Sequence, residues 1–180
     1  MSGSGAVLAT ALLLAFTSIA AVTDLLWSKI YNWNTYGGIV LALAARAWHG
    51  TSPLVDGVEG LLSCGGLMTI CFVVFAGIGG GDVKLMAMLG AWLGWEKGVE
   101  ALLWTFVLAA AFAMIGLIWR IGPLTALGRA GRLIGSKLRL YWFVPLSEEE
   151  RRALKLPIFI GPSALAAVLL VEFGKYIGIN

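Results

Sequence analysis

Two aspartates, Asp24 and Asp82, stand where so apolar a chain has least reason to place a charge. Asp82 follows Gly79-Gly80-Gly81 and precedes Val83-Lys84-Leu85, directly after a charge-free run from Gly60 to Gly81 that is long enough to cross a bilayer as a helix. A Lys at the rim of such a segment can snorkel to water, but a carboxylate wrapped in glycines, which let backbone and substrate approach closely, is a functional signal. Asp24 closes the first charge-free run, Ser2 to Thr23. Two facing carboxylates can share one proton, because like charges a few ångströms apart cannot both ionise. One then acts as base on a water while the other protonates the carbonyl oxygen of a scissile bond. That is aspartic protease chemistry, and it needs neither metal nor cofactor. Taken singly, a membrane-edge aspartate caps a helix or pairs with a nearby Lys about as often, and Lys29 and Lys84 are both at hand. The same two carboxylates also leave open a proton- or ion-coupled carrier, or a scaffold with an inactive pair.

The elements that must position these side chains follow from composition. Of 180 residues, 59% are hydrophobic and only 13% charged, with a mean hydropathy of +0.89. A soluble domain carries about 25% charged residues, so the excess apolar surface must face lipid. The expected fold is all-α and polytopic, one membrane domain over residues 1–180. Charge-free stretches place six transmembrane helices at roughly 4–26, 34–48, 57–78, 82–96, 99–120 and 157–177, the second and fourth short or tilted. The first stretch lacks the basic region that opens a signal peptide, so it is expected to be a retained helix. With the amino terminus outside, the inside loops hold Lys29, Lys84, Arg120, Arg129, Arg132, Lys137, Arg139, Arg151, Arg152 and Lys155, against Arg46, Lys97 and Lys175 outside. The net charge of +3 is therefore a topology signal, and the expected partner is the lipid bilayer rather than nucleic acid. This topology puts Asp24, at the end of the first helix, and Asp82, at the start of the fourth, on one cytoplasmic face. Asp56, Glu59, Glu96, Glu100 and Glu172 fall at the outside face.

Other chemistry-bearing residues form no rival site. Cys64 and Cys71 lie two helical turns apart, about 10.5 Å along an axis, too far for a disulfide. His49 is alone, so no metal centre is expected. Residues 121–156 alternate Leu and Ile with Arg129, Arg132, Lys137 and Arg139, which reads as an amphipathic cytoplasmic loop on the anionic inner leaflet. Ser147 with Glu150 is a capping box within it, ahead of a short helix that stops before Pro157. Trp27, Trp33, Trp92, Trp95, Trp104 and Trp119 read as interface anchors.

Gly79-x-Gly81-Asp82 followed by Lys84-Leu85 resembles the G-x-G-D-x-K-L motif of the type IV prepilin peptidases, the GxGD membrane aspartic proteases. Asp24 followed by Lys29-Ile30-Tyr31-Asn32-Trp33 is similar to that family's other aspartate motif, in which a basic residue and Ile-Pro-Asn follow the Asp. Pro157 with Gly161-Pro162 is similar to the Pro- and Gly-rich opening of the family's last helix. The resemblance implies that Asp24 and Asp82 are the catalytic pair, that Gly79 and Gly81 shape the loop presenting Asp82, and that Lys84, Ile30 and Asn32 support the site. It implies removal of a short basic leader, after a Gly, from prepilin-like precursors at the cytoplasmic membrane of a prokaryote, in association with pilus assembly machinery. Tyr31 departs from the family's Pro, which leaves the turn after the first helix without its ring constraint. The chain lacks the cysteine-bearing insertion associated with methylation, so it resembles the short peptidases of Flp/Tad pilus systems, with archaeal preflagellin peptidases as near relatives, and N-methyltransferase activity is not expected.

Overall fold

The structure is a computed structural model that describes residues 3–74, 78–121 and 160–177. Among the described residues there are six helices: α1 (Gly3–Trp27), α2 (Asn32–Trp48), α3 (Thr51–Val74), α4 (Gly80–Leu93), α5 (Trp95–Ile121) and α6 (Ile160–Ile177). The chain is thus all-helical over its described length, as its composition demands. The expected amphipathic loop, its capping box and Pro157 lie outside the described residues. Helix α3 begins at Thr51 rather than near 57, because Pro53 falls in its first turn, where a fixed φ and a missing N–H do no harm. Asp56 and Glu59 therefore sit on α3 and not in a loop.

Among the described residues three helices are long and apolar enough to cross a membrane: Val7–Trp27, Thr51–Val74 and Trp95–Gly116. Ile160–Gly174 is apolar but shorter. Helices α2 and α4 have 17 and 14 residues. At its rise per residue α4 extends about 21 Å, short of a hydrocarbon layer of about 30 Å.

The helices belong to two compact units. The first, Met1–Ala109 with Phe159–Asn180, holds α1 to α4, the opening of α5, and α6. The second, Ala110–Ile158, contributes only the end of α5 to the described residues. In the first unit α4 is the hub, packed against α1, α2, α3 and α6. Its Leu85, Met86, Met88, Leu89 and Ala91 are almost wholly buried, as a helix apolar on every side must be. Cys64 and Met68 of α3, Leu13 and Ala20 of α1 and Val168 of α6 close around it. Val7, Val40, Leu62 and Val73 point outward as an apolar surface suited to lipid.

Helix α3 crosses α4 backbone on backbone: a Cβ on Gly60 would run into the Gly90 carbonyl, and one on Gly90 into that of Gly60. Asn34 ties α2 to α1 through its amide N–H, which donates to the Phe16 carbonyl at 3.0 Å. Trp27, Trp33, Trp95 and Trp119 are exposed, as anchors should be, but Trp92 and Trp104 pack against the core instead. One end of the bundle is locked by Arg46, which donates to the Pro53 carbonyl at 2.9 Å, to Asp56 Oδ2 at 2.7 Å and to the Trp92 carbonyl at 2.8 Å. Asp56 Oδ1 in turn accepts the Trp95 N–H at 3.0 Å, capping α5. At the same end Lys97 meets Glu172 at 2.8 Å, and the Thr10 hydroxyl reaches the other Glu172 oxygen at 3.3 Å.

Candidate active site

Asp24 lies in the last turn of α1 and is only 8% exposed. The helix stops just beyond it because Ser28 turns left-handed, at φ 51°, while its N–H still bonds the Asp24 carbonyl at 2.8 Å. The chain then runs through Lys29 and Ile30 to Tyr31, which caps α2 at φ −78°, ψ 136°. That φ lies within the range a proline ring would hold, so the residue present leaves this turn of the chain as a proline would.

Asp82 sits in the first turn of α4, half-buried. Its Oδ2 accepts the Gly79 N–H at 2.8 Å, and its own N–H donates to the Gly79 carbonyl at 3.0 Å. This is the acidic half of a capping box; Gly79 has no side chain to supply the other half. The three glycines differ. A Cβ on Gly79 would stand 3.3 Å from Asp82 Oδ2, and one on Gly81 would stand 3.1 Å from Ile30 Cβ, whereas one on Gly80 would meet nothing within 4 Å. The spacing of constrained positions is G-x-G, with the middle residue free.

These contacts join the two aspartate segments. Gly81 packs on Ile30, and Lys84 Nζ donates to Asn32 Oδ1 at 2.8 Å while lying 5.2 Å from the centre of the Tyr36 ring. Lys84 therefore bridges α4 to the start of α2 and makes no ion pair with Asp82. Among the described residues the ion pairs are Arg46–Asp56 and Lys97–Glu172, so neither Asp24 nor Asp82 is neutralised by a cation. Each carboxylate gives Oδ2 to one backbone N–H, that of Gly161 at 2.9 Å for Asp24 and that of Gly79 for Asp82. Among the described residues no hydrogen bond engages either Oδ1. The arrangement offers two acids on separate helices, each steadied at one oxygen by a backbone N–H.

The residues to which the family resemblance points, Asp24, Ile30, Asn32, Gly79, Gly81, Asp82 and Lys84, fall in this one region. Sequence reasoning missed the roles of Gly161 as donor and Tyr36 as the cap over Lys84. Gly-Pro at a helix opening was a signal for the first, since Pro favours the first turn. Among the described residues no three His, Cys, Asp or Glu side chains gather into a metal-binding set.

A family model described as the type IV leader peptidase family matches residues 11–114, which include both aspartates. A prepilin leader peptidase/N-methyltransferase of Burkholderia pseudomallei (strain 1026b) is 44% identical over 69 residues, covering 32% of this chain and 21% of that protein, and the same figures hold for strain K96243. The protein of that name from Aeromonas salmonicida (strain A449) is 35% identical over 121 residues, covering 63% of this chain and 39% of the relative. The chain thus matches between a fifth and two fifths of the length of these relatives. No solved structure matches it.

Proposed function

The chain belongs to the type IV leader peptidase family, and on that premise we propose that it is a membrane-embedded aspartic endopeptidase that removes the short basic leader from prepilin-like precursors. Asp24 and Asp82 are its catalytic pair. One carboxylate takes a proton from a water, whose oxygen bonds to the scissile carbonyl carbon, while the other protonates the carbonyl oxygen. When the C–N bond breaks, the proton held by the first carboxylate passes to the leaving amine and the second recovers its own, so the pair ends as it began. Gly79 and Gly81 let the loop carry Asp82 up to Ile30, and Ile30, Asn32 and Lys84 hold the two segments together.

The observation that carries this reading is the pair itself: two carboxylates on different helices, their segments joined by the Gly81–Ile30 contact and the Lys84–Asn32 bond, each bound at one oxygen by a backbone N–H and neither paired with a cation among the described residues. Two neighbouring carboxylates held by backbone N–H groups rather than by cations keep their charge available, which favours a working pair over a structural one. In the membrane the chain forms one peptidase domain of six spans, amino terminus outside. The pair then faces the cytoplasm at the inner membrane of a prokaryote, where a leader enters before its apolar helix. Short α4 does not need to meet lipid along its length, because its neighbours enclose it. Its partners are pilin-like precursors and the pilus machinery that receives them.

The test uses a purified precursor, a short Lys-rich leader ending in Gly ahead of one apolar helix, placed with the enzyme in liposomes. Asp24→Asn and Asp82→Asn, each present at the wild-type level, leave the precursor uncut. Normal cleavage by either variant, or a substrate-dependent proton flux without any cleavage, refutes the proposal.

A further inference from the structure

We infer that the first turn of α6 is a third element of the site, with Gly161 as the positioning residue for Asp24. The inference rests on Asp24 and Asp82 being the catalytic pair. Asp24 belongs to the last turn of α1, where the unpaired carbonyls of the helix end disfavour a negative charge. Compensation comes from across the interface. The N–H of Gly161, second residue of the 18-residue α6, donates to Asp24 Oδ2 at 2.9 Å in a buried contact, so the positive end of that helix faces the carboxylate. Pro162, which follows it, has no N–H to offer.

The approach is as close as glycine allows. A Cβ at 161 would stand 2.9 Å from Asp24 Cβ and 3.1 Å from both the Ala20 carbonyl oxygen and Ala21 Cα. Those atoms are backbone, or one bond from it, on a packed helix, and none can swing aside. Any side chain at 161 must push α6 off α1 or turn the carboxylate away from its donor. Ile160, 4% exposed, and the fully buried Ala164 and Val168 seat the turn against the core. Asp82, by contrast, is aimed by its own loop through Gly79. The two carboxylates are thus steered independently, one locally and one by a segment 137 residues further along the chain and beyond the 11–114 stretch that the family model matches.

The experiment compares Gly161→Ala with Gly174→Ala, a substitution on the same helix where an added Cβ meets nothing within 4 Å. Cleavage of the liposome-borne precursor gives kcat and KM per folded enzyme, and thermal unfolding gives stability. Gly161→Ala lowers kcat by roughly 10–100-fold, the scale for a displaced catalytic group, with KM nearly unchanged. Gly174→Ala leaves both at wild-type values. A Gly161→Ala enzyme that loses only stability, with wild-type kcat per folded molecule, overturns the inference. If that variant does not fold, Ile160→Ala, which loosens the same turn and adds no atom against Asp24, carries the test: a drop in kcat at constant KM supports the inference and an unchanged kcat overturns it. Asp24→Asn and Asp82→Asn run beside these variants; activity in them defeats the catalytic reading itself, whereas their silence with a normal Gly161→Ala defeats the role of α6 alone.

Discussion

Lys84 offers the sharpest quantitative check on how the two aspartate segments are held together. Its ammonium bonds Asn32 Oδ1 at 2.8 Å and lies 5.2 Å from the Tyr36 ring centre. A hydrogen bond from a charged donor contributes about 1.5–3 kcal/mol when buried, but Lys84 is half-buried and Asn32 exposed, so about 1 kcal/mol is the appropriate figure. A cation over an exposed aromatic face adds about 0.5–1 kcal/mol. Asn32→Ala should therefore reduce the population with both segments in register by about five-fold, and Lys84→Met, which loses both contacts, by about ten- to thirty-fold. The double variant should be no worse than Lys84→Met alone, because the bond can be lost only once. Lys84→Gln, which keeps an N–H for Asn32 without the charge, should fall between wild type and Lys84→Met. The assay is kcat/KM on the liposome-borne precursor, per folded enzyme. If the two single losses multiply in the double variant, the residues act separately and the bridge is not what aligns the pair.

Gly81→Val should abolish cleavage, since its side chain must displace Ile30, whereas Gly80→Ala should cleave at the wild-type rate because that position faces open space; equal behaviour of the two variants in the same assay would contradict the G-x-G account. Gly60→Val and Gly90→Val should each prevent α3 and α4 from closing, costing about 3 kcal/mol or more as overpacking against backbone, read as a lost or sharply lowered thermal transition, while Gly66→Ala leaves the transition in place. Arg46→Ala should cost about 2–4 kcal/mol in thermal or denaturant unfolding, since it strands two carbonyls and the Asp56 carboxylate at the far end, yet leave kcat per folded molecule unchanged. A pH–rate profile of kcat/KM should be bell-shaped, falling when the pair holds two protons and again when it holds none; a single-limbed profile would exclude proton sharing as the rate-determining arrangement.

What could be read from the sequence was what repeats along it. Charge-free runs announce α1, α3 and α5, and the two misplaced acids announce a site, because a carboxylate in apolar surroundings is conspicuous by its chemistry alone. The pairing of Lys84 with Asn32 was less accessible: both were marked as neighbours of the acids, but only the packing of α4 on α2 turns a shared neighbourhood into a bond. Gly161 was harder still: Gly161-Pro162 marks a helix opening, but the contribution is a backbone N–H, a group every residue but proline carries, and the pattern does not say which acid it serves. Trp92 shows the opposite error. A tryptophan near a span end usually anchors in the headgroup layer, yet here the compact Gly60–Gly90 crossing draws α4 inward and Trp92 with it.

The Gly60–Gly90 crossing has a consequence for how the site moves. It fuses α3 to α4, and Arg46 adds α2, so Asp82 rides on one tightly bound group. Asp24 rides on another, α1 with α6, pinned by Gly161 at one end and by Thr10 with Glu172 towards the other. The gap between Asp24 and Asp82 is therefore set by how these two groups meet, and the Ile30–Gly81 contact and the bond from Asn34 of α2 to the Phe16 carbonyl of α1 act as its latch. A small change in tilt between the two groups alters the gap without breaking a bond inside either. If Asp24 and Asp82 are the working pair, anything that changes helix tilt, bilayer thickness among it, changes how well they face each other.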